Sequence, residues 1–281
     1  MPARLKITHT SVKVFTQIMV LSAQFFVLQV YPMPVMPVFV ISLKRSQDRR
    51  DYIATQLQQQ GIDFSFFDAV DGSDKSNPLL KRYNYAKRLW LTSGKMPTNG
   101  EIGCYASHYS LWQKCVDMNQ PLVVVEDDAK ICPNAEQTLK RVAEKIEQYG
   151  CLRLETVIRG ETIPMEEADH YRISWMSDNF GGLRAYALAP WAAKKLLNGS
   201  KSWSLPVDNY LGAPYFHGME SYHLHPDFAE DTRPFETTIQ FYDEDKVPFY
   251  RKPSREFYSA YRKLRLYLHN KKFKKNLNRT G

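Results

Sequence analysis

Three consecutive carboxylates, Glu126, Asp127 and Asp128, close the segment Pro121-Leu122-Val123-Val124-Val125. Leu122 and the three β-branched valines read as a short strand buried on both faces. Acids crowded at the C-terminal end of such a strand repel one another unless a positive charge sits among them. A hard divalent cation with oxygen ligands would supply that charge. In open α/β sheets the ligand crevice also lies beyond the carboxyl ends of the strands. The competing reading is a solvated acidic turn behind a core strand.

Two other protein classes carry a similar string, and the sequence excludes both. A Walker B strand needs a G-x-x-x-x-G-K-[ST] loop upstream. The nearest stretch, Ser93-Gly94-Lys95-Met96, lacks the first glycine and the hydroxyl residue. A receiver domain requires a later apolar strand ending in Asp, whereas Asp169 and Asp178 follow polar sequence.

Asp208 is a further candidate, in Pro206-Val207-Asp208-Asn209-Tyr210-Leu211. It marks a helix N-terminus, where aspartate is also among the best caps. His217, His223 and His225 cluster just beyond it. His108 stands alone on a helix that is apolar on most of its surface. A lone histidine there is more often a hydrogen-bonded core residue than a ligand.

The elements that must position these residues are legible. Val38 to Leu43 is a buried strand. Ser46 opens a helical pattern through Arg49, Arg50, Ile53 and Leu57, closed by Gly61. Phe64 to Phe67 is the next strand and ends in Asp68-Ala69-Val70-Asp71-Gly72. Strand, helix, strand at this spacing is a βαβ unit and implies a parallel sheet. Thr98-Asn99-Gly100-Glu101 fits a capping box and starts a helix through Met118. A helix about Asn134 to Tyr149 and a strand Cys151 to Leu154 follow the acidic motif. Residues 156 to 182 read as a polar, irregular substrate loop. A strand through Tyr186 then leads into a helix with Pro190 in its first turn.

With 43% apolar and 24% charged residues, the chain is an ordinary globular protein large enough for one sizeable core. Its four cysteines form no C-x-x-C pair and read as reduced core thiols of a cytoplasmic protein. The net charge of +8 is uneven: from Arg251 onward there are eleven Lys or Arg against Glu256 alone, +10 by count. The remainder therefore sums to −2, which argues against a nucleic-acid-binding body. The segment itself reads as a basic amphipathic helix, with Phe257, Tyr261, Leu264 and Leu268 at helical spacing. Its partner would be an anionic membrane surface.

The first thirty residues do not match the rest. Val12 to Tyr31 carries Lys13, Gln17, Gln24 and Gln29, too polar for a spanning helix. Arg4, Lys6 and Lys13 precede the apolar run as in a signal peptide, but no small-residue cleavage site follows. A translation start at Met33 or Met36, or an extension without fixed order, accounts for it better. The expected organisation is therefore an extension over 1–35, a catalytic body over 36–250 and a basic tail over 251–281.

The ordered motifs together resemble glycosyltransferase family 25, the bacterial lipooligosaccharide glycosyltransferases related to the collagen galactosyltransferases. The matching residues are Pro37 to Leu43 with Arg45 and Arg49-Arg50, and Phe67-Asp68-Ala69-Val70-Asp71-Gly72. They continue with Gly100-Glu101-Ile102-Gly103-Cys104, Ser107-His108, Trp112, and Glu126-Asp127-Asp128. The last are the Tyr186 strand with Ala192 to Leu197, Pro206-Val207-Asp208, and Thr237-Thr238-Ile239. The family's usual Gly-Thr before the Tyr186 strand is replaced by Gly182-Leu183-Arg184.

This resemblance implies an α/β protein of GT-A type, with a Rossmann-like mixed, mostly parallel sheet flanked by helices. It implies inverting transfer of a hexose, galactose from UDP-galactose, to a lipid-linked lipooligosaccharide core. A glycan-binding module without activity, or a capsule or protein acceptor, are the alternatives. Under the resemblance Asp208 is the candidate base. Ile41, Leu43, Arg45, Asp71, His108, Glu126 and Asp127 are candidates for the nucleotide-sugar site. Glu126, Asp128 and His225 are candidate ligands for Mn²⁺ or Mg²⁺. No nucleic-acid partner is implied, and the expected location is the inner face of the cytoplasmic membrane of a Gram-negative bacterium.

Overall fold

The computed structural model describes residues 36–155, 159–232, 235 and 247–280. The expectations for residues 1–35 and for Thr237-Thr238-Ile239 lie outside the described residues. The βαβ unit is present as expected: β1 (Val38–Ser42), α1 (Gln47–Gln59) and β2 (Ser65–Asp68). After three short helical turns (Pro78–Arg82, Tyr85–Lys87 and Arg88–Thr92) come α2 (Asn99–Met118), β3 (Leu122–Glu126) and β4 (Lys130–Ile131). Next are α3 (Ala135–Tyr149), β5 (Cys151–Arg153), β6 (Arg159–Ala168) and β7 (Tyr171–Asp178). The chain continues through β8 (Ala185–Leu188), α4 (Pro190–Gly199), α5 (Val207–Leu211) and α6 (Pro214–His217). It ends with β9 (Tyr222–His225), β10 (Ala229–Glu230) and α7 (Lys252–Thr280).

Eight strands form one sheet in the order β2-β1-β3-β8-β5-β9-β7-β6, and β4 pairs with β10 in a small second sheet. The expected mixed sheet is present, and its parallel pairing is local. β1 runs parallel to β2 and β3, and β5 to β9, whereas β8 is antiparallel to both β3 and β5 and β7 to both β6 and β9. The sheet is mixed, with a parallel Rossmann-like portion where the acidic motif sits.

β3 shows why its apolar run is unbroken. Leu122 and Val124 pack into the core on the α2 side, with Tyr105, Leu111 and Trp112. Val123 and Val125 pack into the core on the opposite side, with Ile53 and Leu57 of α1 and Val142 and Ile146 of α3. A strand covered by helices on both faces needs an apolar residue at every position.

The α2 helix is buried as expected, and Thr98 accepts the Glu101 backbone N–H at 3.1 Å. No reciprocal bond from Glu101 to the Thr98 backbone occurs among the described residues. Glu101 instead turns inward, accepting from Tyr83 Oη at 2.6 Å and Arg88 Nη2 at 2.7 Å. At the start of α2 the backbone of the Asp71-Gly72 turn comes into contact. A Cβ on Gly72 would lie 1.9 Å from the Asn99 carbonyl oxygen, so only glycine fits there.

The expected substrate loop over 156–182 is largely a β-hairpin, β6 and β7. β6 holds Gly160 and Pro164 because it is the edge of the sheet, where proline is tolerated, and the register shifts beside Pro164. Ile173 and Trp175 alternate into the core on β7. No helix among the described residues is long and apolar enough to cross a membrane.

Candidate active site

The site lies where five strand ends meet. The C-terminal ends of β1, β2 and β3 carry Ser42-Leu43, Asp68 and Glu126 on one edge of the sheet. β8 is antiparallel, so its N-terminal end arrives at the same edge, and the Glu126 N–H donates to the Arg184 carbonyl at 2.8 Å. β5 contributes Arg153 and, one step beyond, Glu155. This is the crevice expected of an open α/β sheet near the point where strand order reverses about β1.

The members of the acidic motif have separate partners. Arg49 on α1 donates to Asp127 at 3.2 Å, with both side chains largely buried. Arg184 bonds Asp231 at 3.0 Å and stands 3.9 Å from both Asp128 and Glu155. Arg153, fully buried, bonds Glu155 at 2.6 Å and the Gly182 carbonyl. Burial raises the pKa of Asp128 against the pull of Arg184. Burial, then Asp128 and Glu155, raise Glu126 well above the ordinary carboxylate range.

A divalent cation fits this donor set. Among the described residues, Glu126, Asp127, Asp128, Glu155, Asp208 and Asp231 are gathered around Arg49, Arg153 and Arg184. Asp128 Oδ1 and Glu155 Oε2 are buried with no hydrogen bond among the described residues. Orphaned carboxylate oxygens in a pocket with excess negative charge suit a hard cation. Asp127 is already held by Arg49, so Glu126 and Asp128 are the residues that would hold it.

A relay of hydrogen bonds orients Glu126. Trp112 Nε1–H can only donate, and it donates to Tyr186 Oη at 2.9 Å. Tyr186 then donates to His108 Nδ1 at 3.0 Å, which leaves Nε2–H to donate to Glu126 Oε1 at 3.3 Å. Burial, reinforced by Arg153, pushes His108 down to about 3 and keeps it neutral. Cys104 also donates to Glu126 Oε1, at 3.9 Å, and burial holds its thiol protonated. Cys104, His108 and Glu126 thus place one ligand atom each within 4.8 Å of one another. His108 is both a core histidine and a residue of the site.

Asp208 is in the first turn of α5, not at its cap, which is Pro206. Its carboxylate accepts the Asn209 N–H at 2.7 Å and lies beside the Gly182 backbone N–H. Burial raises its pKa, while these donors and Arg153 pull it back. Its charge in turn raises Glu126 and Glu101, so it lies within electrostatic reach of the acidic motif.

The other predicted residues divide. Ile41 neighbours Glu126 in register, with its side chain in the core. The Leu43 carbonyl is taken by Arg50 Nε and the Ser46 N–H. Arg45 pairs with Asp71 on the exposed rim, and Ser73 together with Arg45 holds Asp71 well below the usual carboxylate range. His225 is not brought to the motif. Two strands, β8 and β5, separate β9 from β3, about 14 Å at strand spacing. Its ring is exposed and faces Asp227 at 3.7 Å.

Arg49 and Arg50 are both partly buried in structural roles. Arg49 neutralises Asp127, and Arg50 ties the Ser42 carbonyl to Asp68 over the Phe66 ring. Sequence reading missed Arg153, Glu155, Arg184 and Asp231. One signal was available: Arg184 marked a departure from the pattern beside the Tyr186 strand. Another was Arg153-Leu154-Glu155, charges alternating along a strand that is otherwise core.

Residues 35–211, well over half of the chain, match the family described as glycosyltransferase family 25 (LPS biosynthesis protein). Procollagen galactosyltransferase 2 of Homo sapiens is 34% identical over 196 residues, 63% of this chain and 30% of that protein. The lipooligosaccharide biosynthesis protein lic2B of Haemophilus influenzae is 37% identical over 102 residues, 36% of each. A probable inactive glycosyltransferase 25 family member 3 of Bos taurus is 33% identical over 201 residues, 67% of this chain and 33% of that protein. In each case the chain spans about a third of the relative's length. The matched segment runs from the first strand to Asp208 and contains the acidic motif with its histidine relay, and on that ground the chain belongs to glycosyltransferase family 25.

Proposed function

We propose that this protein is an inverting, metal-dependent hexosyltransferase of GT-A type that moves galactose from UDP-galactose to a lipooligosaccharide core sugar. The carrying observation is the buried carboxylate pocket: Asp128 Oδ1 without a hydrogen bond among the described residues, beside Glu126 and within reach of Asp208. A divalent cation held by Glu126 and Asp128 would offset the charge that develops on the departing diphosphate. The chain's own residues do the rest. The relay through Trp112, Tyr186 and His108 fixes the Glu126 carboxylate. Arg49 holds Asp127 in place.

In the transfer, the acceptor oxygen forms a bond to the anomeric carbon as the bond to the diphosphate oxygen breaks on the opposite face. Asp208 accepts the proton leaving the acceptor hydroxyl. Its raised pKa, set by burial, makes it a stronger base than a solvated aspartate.

The relatives named as inactive favour a second reading, a module that binds glycan without turnover. All three motif carboxylates and Asp208 are present here, which supports the active reading. The relative named as a procollagen galactosyltransferase makes a protein acceptor the third possibility. The deciding experiment offers a panel of sugar nucleotides with Mn²⁺, against lipooligosaccharide core and procollagen peptide, with the product linkage solved by NMR. Galactose joined to the core with inverted configuration is expected. Donor binding without transfer or hydrolysis would establish the inactive module instead.

A further inference from the structure

The α7 helix is amphipathic on two sides, and the structure decides which side is which. Its inner side is fixed to the body. Phe273 stacks on Trp175 with centroids 4.6 Å apart, Arg262 lies over the Phe180 ring at 3.8 Å, and His269 pairs with Glu220 at 2.7 Å. Asn270 donates to the Ser177 carbonyl at 2.7 Å. These contacts set the rotation of the helix about its axis.

That rotation turns the other apolar stripe to solvent. Phe257, Leu264 and Leu268 are 79%, 55% and 51% exposed, with Tyr261 beside them. Positions 257, 261, 264 and 268 share one helical arc spanning about 16 Å of axis. Exposed lysines flank and extend the stripe: Lys271, Lys272 and Lys275. No Asp or Glu occurs after Glu256. Just before the helix, Phe249 is also exposed.

We infer that this outer face of α7 docks on an anionic lipid bilayer, lying in the plane of the headgroups. The pattern matches an interfacial helix, with an apolar arc entering the acyl boundary and lysines at its edges meeting anionic headgroups. Tyr261 suits the interface, where the hydroxyl end of its ring is wet. A nucleic-acid partner would leave Leu264 and Leu268 facing phosphates at the centre of the contact. The inference does not depend on the transfer reaction.

Removing α7 would uncover Trp175, so the test uses the full chain with surface substitutions. The protein is sedimented with phosphatidylcholine vesicles, with and without phosphatidylglycerol, at low and high salt. Binding only to the phosphatidylglycerol vesicles, weakened by salt, is expected. Phe257→Ser/Leu264→Ser/Leu268→Ser should weaken it by about tenfold or more, with unchanged circular dichroism and melting temperature. Lys271→Gln/Lys272→Gln/Lys275→Gln should weaken it and flatten the salt dependence. Failure to bind anionic vesicles at low salt overturns the inference, as does equal binding by the serine variant. A concentration-dependent dimer in ultracentrifugation that the serine variant loses would also overturn it, making the face a contact between copies.

Discussion

Arg49 of α1 reaches Asp127, Nη1 to Oδ1 at 3.2 Å, and this one contact divides three adjacent carboxylates into two roles. Asp127 gains a permanent cation and becomes part of the scaffold between α1 and β3. Asp128, its neighbour in the chain, keeps a buried oxygen with no hydrogen bond among the described residues.

Substitution of the two aspartates should therefore give different results. Asp128→Asn should lower turnover on the order of 10²-fold, through lost compensation of leaving-group charge, with stability kept. Asp127→Asn should act chiefly on stability, because it breaks the largely buried Arg49–Asp127 ion pair. Steady-state kinetics with Mn²⁺ or EDTA, alongside thermal melts, separate the two. Near wild-type turnover in EDTA would sink the metal-dependent mechanism.

Asp208 is not a cap, so its removal should register in chemistry rather than folding. Asp208→Asn is expected to abolish transfer while donor affinity, read by calorimetry, stays within a few-fold. Retained transfer in this variant would assign the base elsewhere.

Glu101 and Arg88 form a buried pair that no catalytic step uses. Arg88→Met leaves a buried carboxylate with only the Tyr83 hydroxyl as donor. Urea unfolding should show a loss of about 3 kcal/mol or more. Adding Glu101→Leu should recover part of it, because an apolar pair replaces a stranded charge. The Tyr83 hydroxyl, then without its acceptor, limits the recovery.

His217 provides a pH test away from the acidic motif. Its Nε2–H donates to the Tyr210 and Leu211 carbonyls at 3.2 and 3.3 Å, and burial pushes it down to about 4. Unfolded, it titrates near 6.5. Between those values the unfolded chain binds the proton and the folded chain does not, so stability falls as pH drops through that window. It is fully present above about pH 6.5, and the loss is on the order of 3 kcal/mol. Urea titrations at stepped pH should show a shallower acid-side slope in His217→Gln. An identical slope would remove His217 as a cause.

By itself the sequence determined the parts whose causes are local. The β3 run is apolar because both its faces are covered, and α2 announces itself by Thr98 and by apolar positions around most of its circumference. The acidic motif, Asp208 and His108 were all legible because their residue types are costly to bury without a use.

Tertiary structure decided what depends on strand order. Arg184 belongs to the site because β8 runs antiparallel beside β3, and no local pattern encodes that neighbour. His225 looked like a ligand by composition, yet β8 and β5 stand between its strand and the motif. The α7 periodicity was visible, but its two apolar sides could be told apart only once Phe273 had met Trp175. Strand pairing and helix docking are long-range contacts, and the residues that meet through them leave no periodic trace in the chain.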